Sequence, residues 1–224
     1  MNYRNIELPS KCAVYNITPD QFQIRTLTGA DEMALSELTS RNFETKLCTV
    51  MDRFIDGISS KDLTVGDRLY LLIWQKIQSY GSDYRVNDFI CGGCAMNKSH
   101  TFDLALMETK ELGKFDDTVT LSDGTKVTLR PMLVRDELLV SKYESNGNSS
   151  WLYRLALTIV DAEKDIMELV SWLGELPAVD IKEIRNWHKS VEHGTIMELE
   201  YECPTCGWRG QVAIPFRPDL LISE

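Results

Sequence analysis

Apolar residues recur with two periods along this chain, and the switches between them mark out its regions. Phe22, Ile24 and Leu27 read as a short strand that ends at Thr28-Gly29, and Asp31 to Leu38 as a short helix. Leu47, Val50, Met51, Phe54 and Ile55 fall at i, i+3, i+4, i+7 and i+8, which is one helical face. The clearest helix opens at Asp62-Leu63-Thr64. Thr64 and Asp67 resemble a capping box with Asp in place of Glu. Its apolar stripe is Leu69, Tyr70, Ile73, Trp74 and Ile77, and Tyr80-Gly81 closes it, with Gly81 as the left-handed residue beyond the last turn. The period then drops to two. Tyr84 to Ile90 and Thr101 to Leu106 read as strands.

The next stretch has its own order. Val119-Thr120-Leu121 and Val127-Thr128-Leu129 flank Asp123-Gly124, a hairpin signal, and Pro131 ends the second strand. Asp136 to Tyr143 predicts a helix, 146–150 a loop with Ser150 as N-cap, and Trp151, Leu152, Leu155, Ala156, Ile159 and Val160 a helix buried on one side. Ile166 to Leu173 continues helical. A last helix runs from Val179 to His188, with Ile181, Ile184, Trp187 and Val191 on one face, and Gly194 breaks it. Ile196 to Tyr201 and Trp208 to Ile214 return to strand patterning.

Two of these strand regions enclose cysteine pairs of identical spacing, Cys91-Gly92-Gly93-Cys94 and Cys203-Pro204-Thr205-Cys206. Two intervening residues let one tight turn aim both sulfurs at a single ion, about 2.3 Å from each. Pro204 stiffens the second turn, and Gly207 supplies a positive φ that lets backbone amides face the sulfurs. Gly92 and Gly93 offer the first turn similar freedom. The four cysteines are therefore the expected ligands of one structural zinc ion per chain, in a ribbon built from two turn-plus-strand units. Residues 95–202 separate the pairs, where roughly 15–20 residues is usual. Such a discontinuous ribbon requires the ends of the insertion to lie close together. Four thiolates leave no open position for a catalytic metal. Neither pair precedes an amphipathic helix, as a thioredoxin-like redox motif would. Cys48 reads as a buried core thiol, and Cys12 has no assignment.

Charge narrows the function. The formal net charge is −10, from 34 acidic and 24 basic residues. Nucleic-acid binding is driven by basic side chains that release counterions, and the bases near the cysteine turns are only Lys98, Lys110 and Arg209. No apolar run is long enough to cross a membrane. The segment Met1 to Glu7 lacks the apolar stretch of a signal peptide, which points to a reducing compartment. The three histidines form no catalytic set. His100 is an alternative metal ligand, and His188 and His193 fall at a helix end, where a cation suits the dipole. No nucleophile elbow, phosphate-binding glycine loop or zinc-protease helix occurs. An enzyme, and a small-molecule substrate with it, is not expected.

Several motifs in order resemble the baseplate hub family of T-even-type contractile-tail bacteriophages. They are Leu8-Pro9-Ser10-Lys11, Leu27-Thr28-Gly29, Asp62-Leu63-Thr64-Val65-Gly66-Asp67 opening a helix, Ser79-Tyr80-Gly81-Ser82-Asp83-Tyr84, and the Cys91–Cys94 pair, with Cys203-Pro204 and Cys206 at the far end. The resemblance implies a non-catalytic structural or hub-assembly protein. Its partners would be other tail baseplate and hub proteins, in the host cytoplasm during assembly and in the virion tail. The rival expectation is a zinc-ribbon nucleic-acid or transcription module. Trp172, Trp187 and Trp208 are candidate contact residues wherever they are exposed.

The expected fold class is α+β. A mainly helical region with a first strand spans 1–83, a discontinuous four-cysteine zinc ribbon 84–110 with 194–217, and a β-hairpin plus helical bundle 111–193.

Overall fold

The computed structural model describes residues 3–39, 43–144, 150–160, 164–216 and 218–221. The expected loop at 146–149 lies outside them, as do residues 1, 2 and 217. Within them the fold is α+β, with helices packed against small antiparallel sheets.

The chain opens with β1 (Arg4–Asn5), β2 (Gln23–Ile24), α1 (Gly29–Ser36), α2 (Phe43–Met51) and β3 (Ile55–Asp56). The strands form one sheet in the order β1-β2-β3, with Ile24 opposite Ile55. The helical face expected to run to Ile55 therefore stops at Met51. Phe54 N donates to Met51 O at 3.0 Å in a closing turn, and Ile55 enters the sheet. Both side chains are still buried, so the core accepts their apolar surface from a turn and a strand instead of another helical turn.

Helix α3 (Val65–Tyr80) is the spine of the molecule. Thr64 Oγ1 accepts from Asp67 N at 3.2 Å, and Gly81 closes the helix at φ +87°. The reciprocal half of the capping box is missing. Asp67 is fully buried, and its carboxylate instead accepts from Ser10 N at 2.9 Å and from the Tyr15 hydroxyl at 2.5 Å. Tyr15 in turn accepts from Thr64 N at 2.7 Å. Burial, then the nearby Asp67 charge, raises the Tyr15 phenol well above its ordinary range. Leu71 and Leu72 lie off the expected stripe yet are buried, because α3 has a core on either side. They pack with Phe22, Phe54 and Met51, while Ile73 packs in a second core.

After α3 come β4 (Asp83–Ile90) and β5 (Asn97–Asp103), a hairpin, and then the short strand β6 (Thr109–Lys110). The middle of the chain holds the hairpin β7 (Thr118–Thr120)–β8 (Lys126–Thr128) and the helices α4 (Val134–Glu144), α5 (Trp151–Thr158), α6 (Ile166–Glu175) and α7 (Ala178–Ser190). Strand β9 (Gly194–Thr195) then pairs with β6, Thr109 opposite Thr195 and Lys110 opposite Gly194. The hairpin β10 (Glu198–Glu202)–β11 (Arg209–Ala213) follows. A third core, including Leu129, Ala156, Leu173 and Ile184, fills the space between β7–β8 and α5–α7. Helix α5 ends at Thr158 because Ile159 and Val160 join the hairpin: Leu129 lies opposite Ile159, and Val160 N donates to Thr128 O at 2.8 Å. Ser150 does not cap α5 with its side chain; the hydroxyl turns to Glu144.

The insertion is locked to α3. Val65 N donates to Met132 O, and Val134 joins the first core. A Cβ on Gly66 would collide with the carbonyl of His193, and one on Gly194, at φ +109°, would stand 2.5 Å from Gly66 O. The two backbones touch where only glycine fits. His193 sits in this junction. Its Nδ1 faces Val191 O at 2.8 Å, an atom that can only accept, and its Nε2 meets the Thr64 hydroxyl at 2.7 Å.

His188 departs from its expected role as a cation at the helix end. Its Nε2 donates to Thr158 Oγ1 at 3.0 Å, since that hydroxyl already donates to Leu155 O. Burial lowers the imidazole from 6.5 to about 4. The fold thus favours the neutral ring, while the unfolded chain binds a proton first as pH falls. The stabilisation is complete above pH 6.5 and declines until pH reaches about 4. Urea midpoints are expected to show a loss of about 2 kcal/mol between pH 7 and pH 5 that is absent in His188→Gln. An equal loss in both proteins would remove His188 as its source.

Candidate metal centre

Both cysteine pairs form the turns of hairpins. Cys91–Cys94 joins β4 to β5, and Cys203–Cys206 joins β10 to β11. The two turns share one backbone pattern. Cys91 N donates to Met96 O at 3.0 Å and Ala95 N to Cys91 O at 2.9 Å; Cys203 N donates to Trp208 O at 2.8 Å and Gly207 N to Cys203 O at 2.9 Å. The residue after each second cysteine has positive φ, +70° at Gly207 as expected and +54° at Ala95. Ala95 thus holds a conformation that disfavours a side chain.

The glycines of the first turn serve a purpose other than the expected one. Neither Gly92 nor Gly93 adopts positive φ. They make room for Trp208 of the other hairpin. A Cβ on Gly92 would stand 2.6 Å from Trp208 Cζ2, one on Gly93 2.5 Å from Trp208 Cβ, and one on Gly210 would overlap the indole as well. The indole lies across both turns and brings them together. Behind it, Phe89, Phe102 and Tyr201 meet edge to face or tilted, in a core shared by the two hairpins and Ile73.

The packing gathers all four thiols. Cys91, Cys94, Cys203 and Cys206 place their sulfurs within 4.8 Å of one another, close enough to hold a metal ion. Cys91 Sγ and Cys206 Sγ, one from each turn, are 3.8 Å apart. Bonds of about 2.3 Å at tetrahedral angles would separate two sulfurs by about 3.8 Å, whereas a disulfide needs about 2.05 Å. All six cysteines are free thiols. Cys91 and Cys203 are buried and Cys206 is exposed, so the cluster lies at the surface with one side closed.

Its electrostatics suit a cation. The amides of Cys94 and Gly93 lower the Cys91 thiol. Burial alone would raise Cys203, but the amides of Thr205 and Cys206 and the hydrogen bonds from Cys91 and Cys206 bring it down to about 6. At Cys206 the Trp208 amide lowers the thiol, and burial with the sulfurs of Cys203, Cys91 and Cys94 outweighs it, raising it to about 11. One thiolate forms readily and keeps a neighbour protonated, and a divalent cation would replace the retained protons.

The other sequence candidates lie elsewhere. His100 is absent from the sulfur cluster. It stands opposite Val86 on β5, with its ring 4.8 Å from Phe102 and 5.2 Å from Tyr201. Cys48 is buried in the first core, as expected. Cys12 is buried there too, at φ +59°, with its thiol raised by burial and then by Asp67. Two of the three bases near the turns are engaged, Lys98 with Thr205 Oγ1 at 2.8 Å and Arg209 with Glu202 at 2.9 Å. The first turn is flanked by exposed Ile90 and Met96.

A family model described as T4 bacteriophage base plate protein matches residues 2–216, which takes in both hairpins and the whole insertion. The chain belongs to this family. It is a phage baseplate structural protein, and membership implies contacts with other phage tail proteins. No curated protein and no solved structure matches it significantly. Among the described residues, no helix is long and apolar enough to cross a membrane. The family match extends through residues 111–193, a stretch in which no family motif is legible from the sequence. The tryptophan most open to solvent in this baseplate protein is Trp151, 44 % exposed. The three candidate contact tryptophans are half-buried or, like Trp187, buried with Nε1 donating to Asp116 O at 2.6 Å.

Proposed function

We propose that this chain is a non-catalytic building or assembly component of the phage tail baseplate hub, held in shape by one zinc ion on Cys91, Cys94, Cys203 and Cys206. The convergence of four thiols from two hairpins far apart in sequence carries this reading. All-sulfur tetrahedral coordination favours zinc among common biological cations. The ion would supply a cross-link and no open coordination position. It would tie the ribbon halves, 84–110 and 194–217, across the insertion 111–193 and against the N-terminal region, residues 1–83. Metal binding then contributes directly to folding, and the protein works through its surfaces toward other baseplate and hub proteins. Synthesis in the host cytoplasm and incorporation into the tail follow from that role.

Complementation of a phage lacking this chain tests it. Wild-type protein is expected to restore infectious particles, while a variant with Cys203 and Cys206 both changed to Ser yields tails halted before a complete baseplate. Full infectivity from that variant would contradict the reading.

A further inference from the structure

The helical insertion carries two surface features that the metal centre does not use. The first is a groove of about 350 Å³ between α5, the end of α6 and the start of α7. Trp151, Leu152, Leu173 and Ile181 form its apolar surface, and Lys182 and Arg185 are its only charged lining residues. The Arg185 guanidinium lies 4.6 Å above the Trp151 ring. Neither cation has a carboxylate partner among the described residues. With Lys189 they follow one another at spacings of three and four, which makes one basic stripe along α7.

The second is a depression of about 440 Å³ on α6, lined by Asp165, Met167, Glu168, Ser171, Trp172 and Glu175. It is the converse of the first, with three acids, no base, a half-buried indole and a half-exposed methionine. Glu168 and Glu175 are seven residues apart on α6, as Lys182 and Lys189 are on α7, and both pairs span about 10.5 Å of helix axis.

The geometry points to a second copy of this chain as the occupant of the groove, docking the acidic face of its α6 against the basic stripe of α7. Copies carrying a net charge of −10 repel each other in general, so close approach is favoured where opposite charges meet. Trp151 on one side and Trp172 with Met167 on the other provide apolar surface to bury between the charged rims. The two depressions fall short of the roughly 1,000 Å² of a stable interface, so the contact is weak and salt-sensitive. Because the donor and acceptor faces differ, it is a head-to-tail contact that propagates into a ring or a filament. This inference does not rest on the metal reading.

Sedimentation velocity on the purified full chain, over a range of concentrations at low and high salt, tests it. The wild type is expected to associate at low salt and to dissociate at high salt. Arg185→Glu alone, or Glu168→Lys alone, is expected to weaken association about tenfold or more. A mixture of the two single variants is expected to recover at least a one-to-one dimer, because the unaltered groove of Glu168→Lys accepts the unaltered acidic α6 of Arg185→Glu. That recovery also rules out misfolding as the cause of the losses. A wild type that stays monomeric, association indifferent to both substitutions, or a mixture that remains dissociated would overturn the inference.

Discussion

Cys203→Ser is expected to lower the unfolding free energy by more than about 4 kcal/mol, among the largest effects of any single substitution here. Cys203 is 1 % exposed and belongs to the core that holds both hairpins, alongside Tyr201 and Cys91. Serine at this position removes one of four thiolates and places a hydroxyl among apolar neighbours. With three thiols left, metal affinity falls, and the binding free energy that reinforces the native state falls with it. Urea unfolding should therefore show a shifted midpoint for Cys203→Ser, and addition of a strong chelator should destabilise the wild type while leaving the variant unchanged. Cys48→Ser, a change at an equally buried thiol outside the cluster, is expected to cost about 1–3 kcal/mol and to keep the wild-type response to chelator. If Cys203→Ser and Cys48→Ser lose similar stability and respond alike to chelator, Cys203 does not act as a ligand.

Gly66→Ala is expected to be the next most damaging substitution, at about 3 kcal/mol or more. Its Cβ would overlap the carbonyl of His193, a backbone atom with little freedom to retreat, since the next residue is Gly194 in β9, paired with β6. Relief would require moving the strand that leads into the second cysteine hairpin. The substitution should therefore weaken the sulfur cluster as well as the junction, although Gly66 lies in a different region of the chain. Gly29→Ala is the control. A Cβ there meets nothing within 4 Å, and the residue lies in the first turn of α1. That change should be neutral or slightly stabilising. Denaturation midpoints within about 1 kcal/mol for Gly66→Ala and Gly29→Ala would show that α3 and β9 can separate freely.

The features of the architecture that depend on local chemistry were legible in the sequence. The Cys-x-x-Cys spacing, the positive φ at Gly207, the Thr64 cap and the glycine end of α3 are decided within a few residues, and each is found where expected. Features decided by distant partners were not legible. Asp67 has the spacing of a capping residue, and only the return of Ser10 and Tyr15 to the start of α3 shows where its carboxylate is used. Ile55 continues a helical period until Ile24 claims it for the sheet. His188 carries a dipole-matched position in sequence, but the packing around Thr158 buries it in the neutral form. At the cluster, the sequence assigns Gly92 and Gly93 the conformational freedom of a tight turn. Their actual role, clearance for Trp208 more than a hundred residues away, required the two hairpins to be seen together. A residue with a side chain at positive φ, Ala95, left no signal in composition, and the match between Ala95 and Gly207 emerges only from comparing the two turns.

Native mass spectrometry of the purified chain, paired with thiol counting under denaturing conditions, tests the zinc cross-link most directly. The expected result is one zinc ion per folded chain, displacement of cysteine protons on binding, six free thiols after unfolding in chelator, and loss of the ion in Cys203→Ser. A folded chain without metal, or one in which Cys91–Cys94 or Cys203–Cys206 is found as a disulfide, would contradict it.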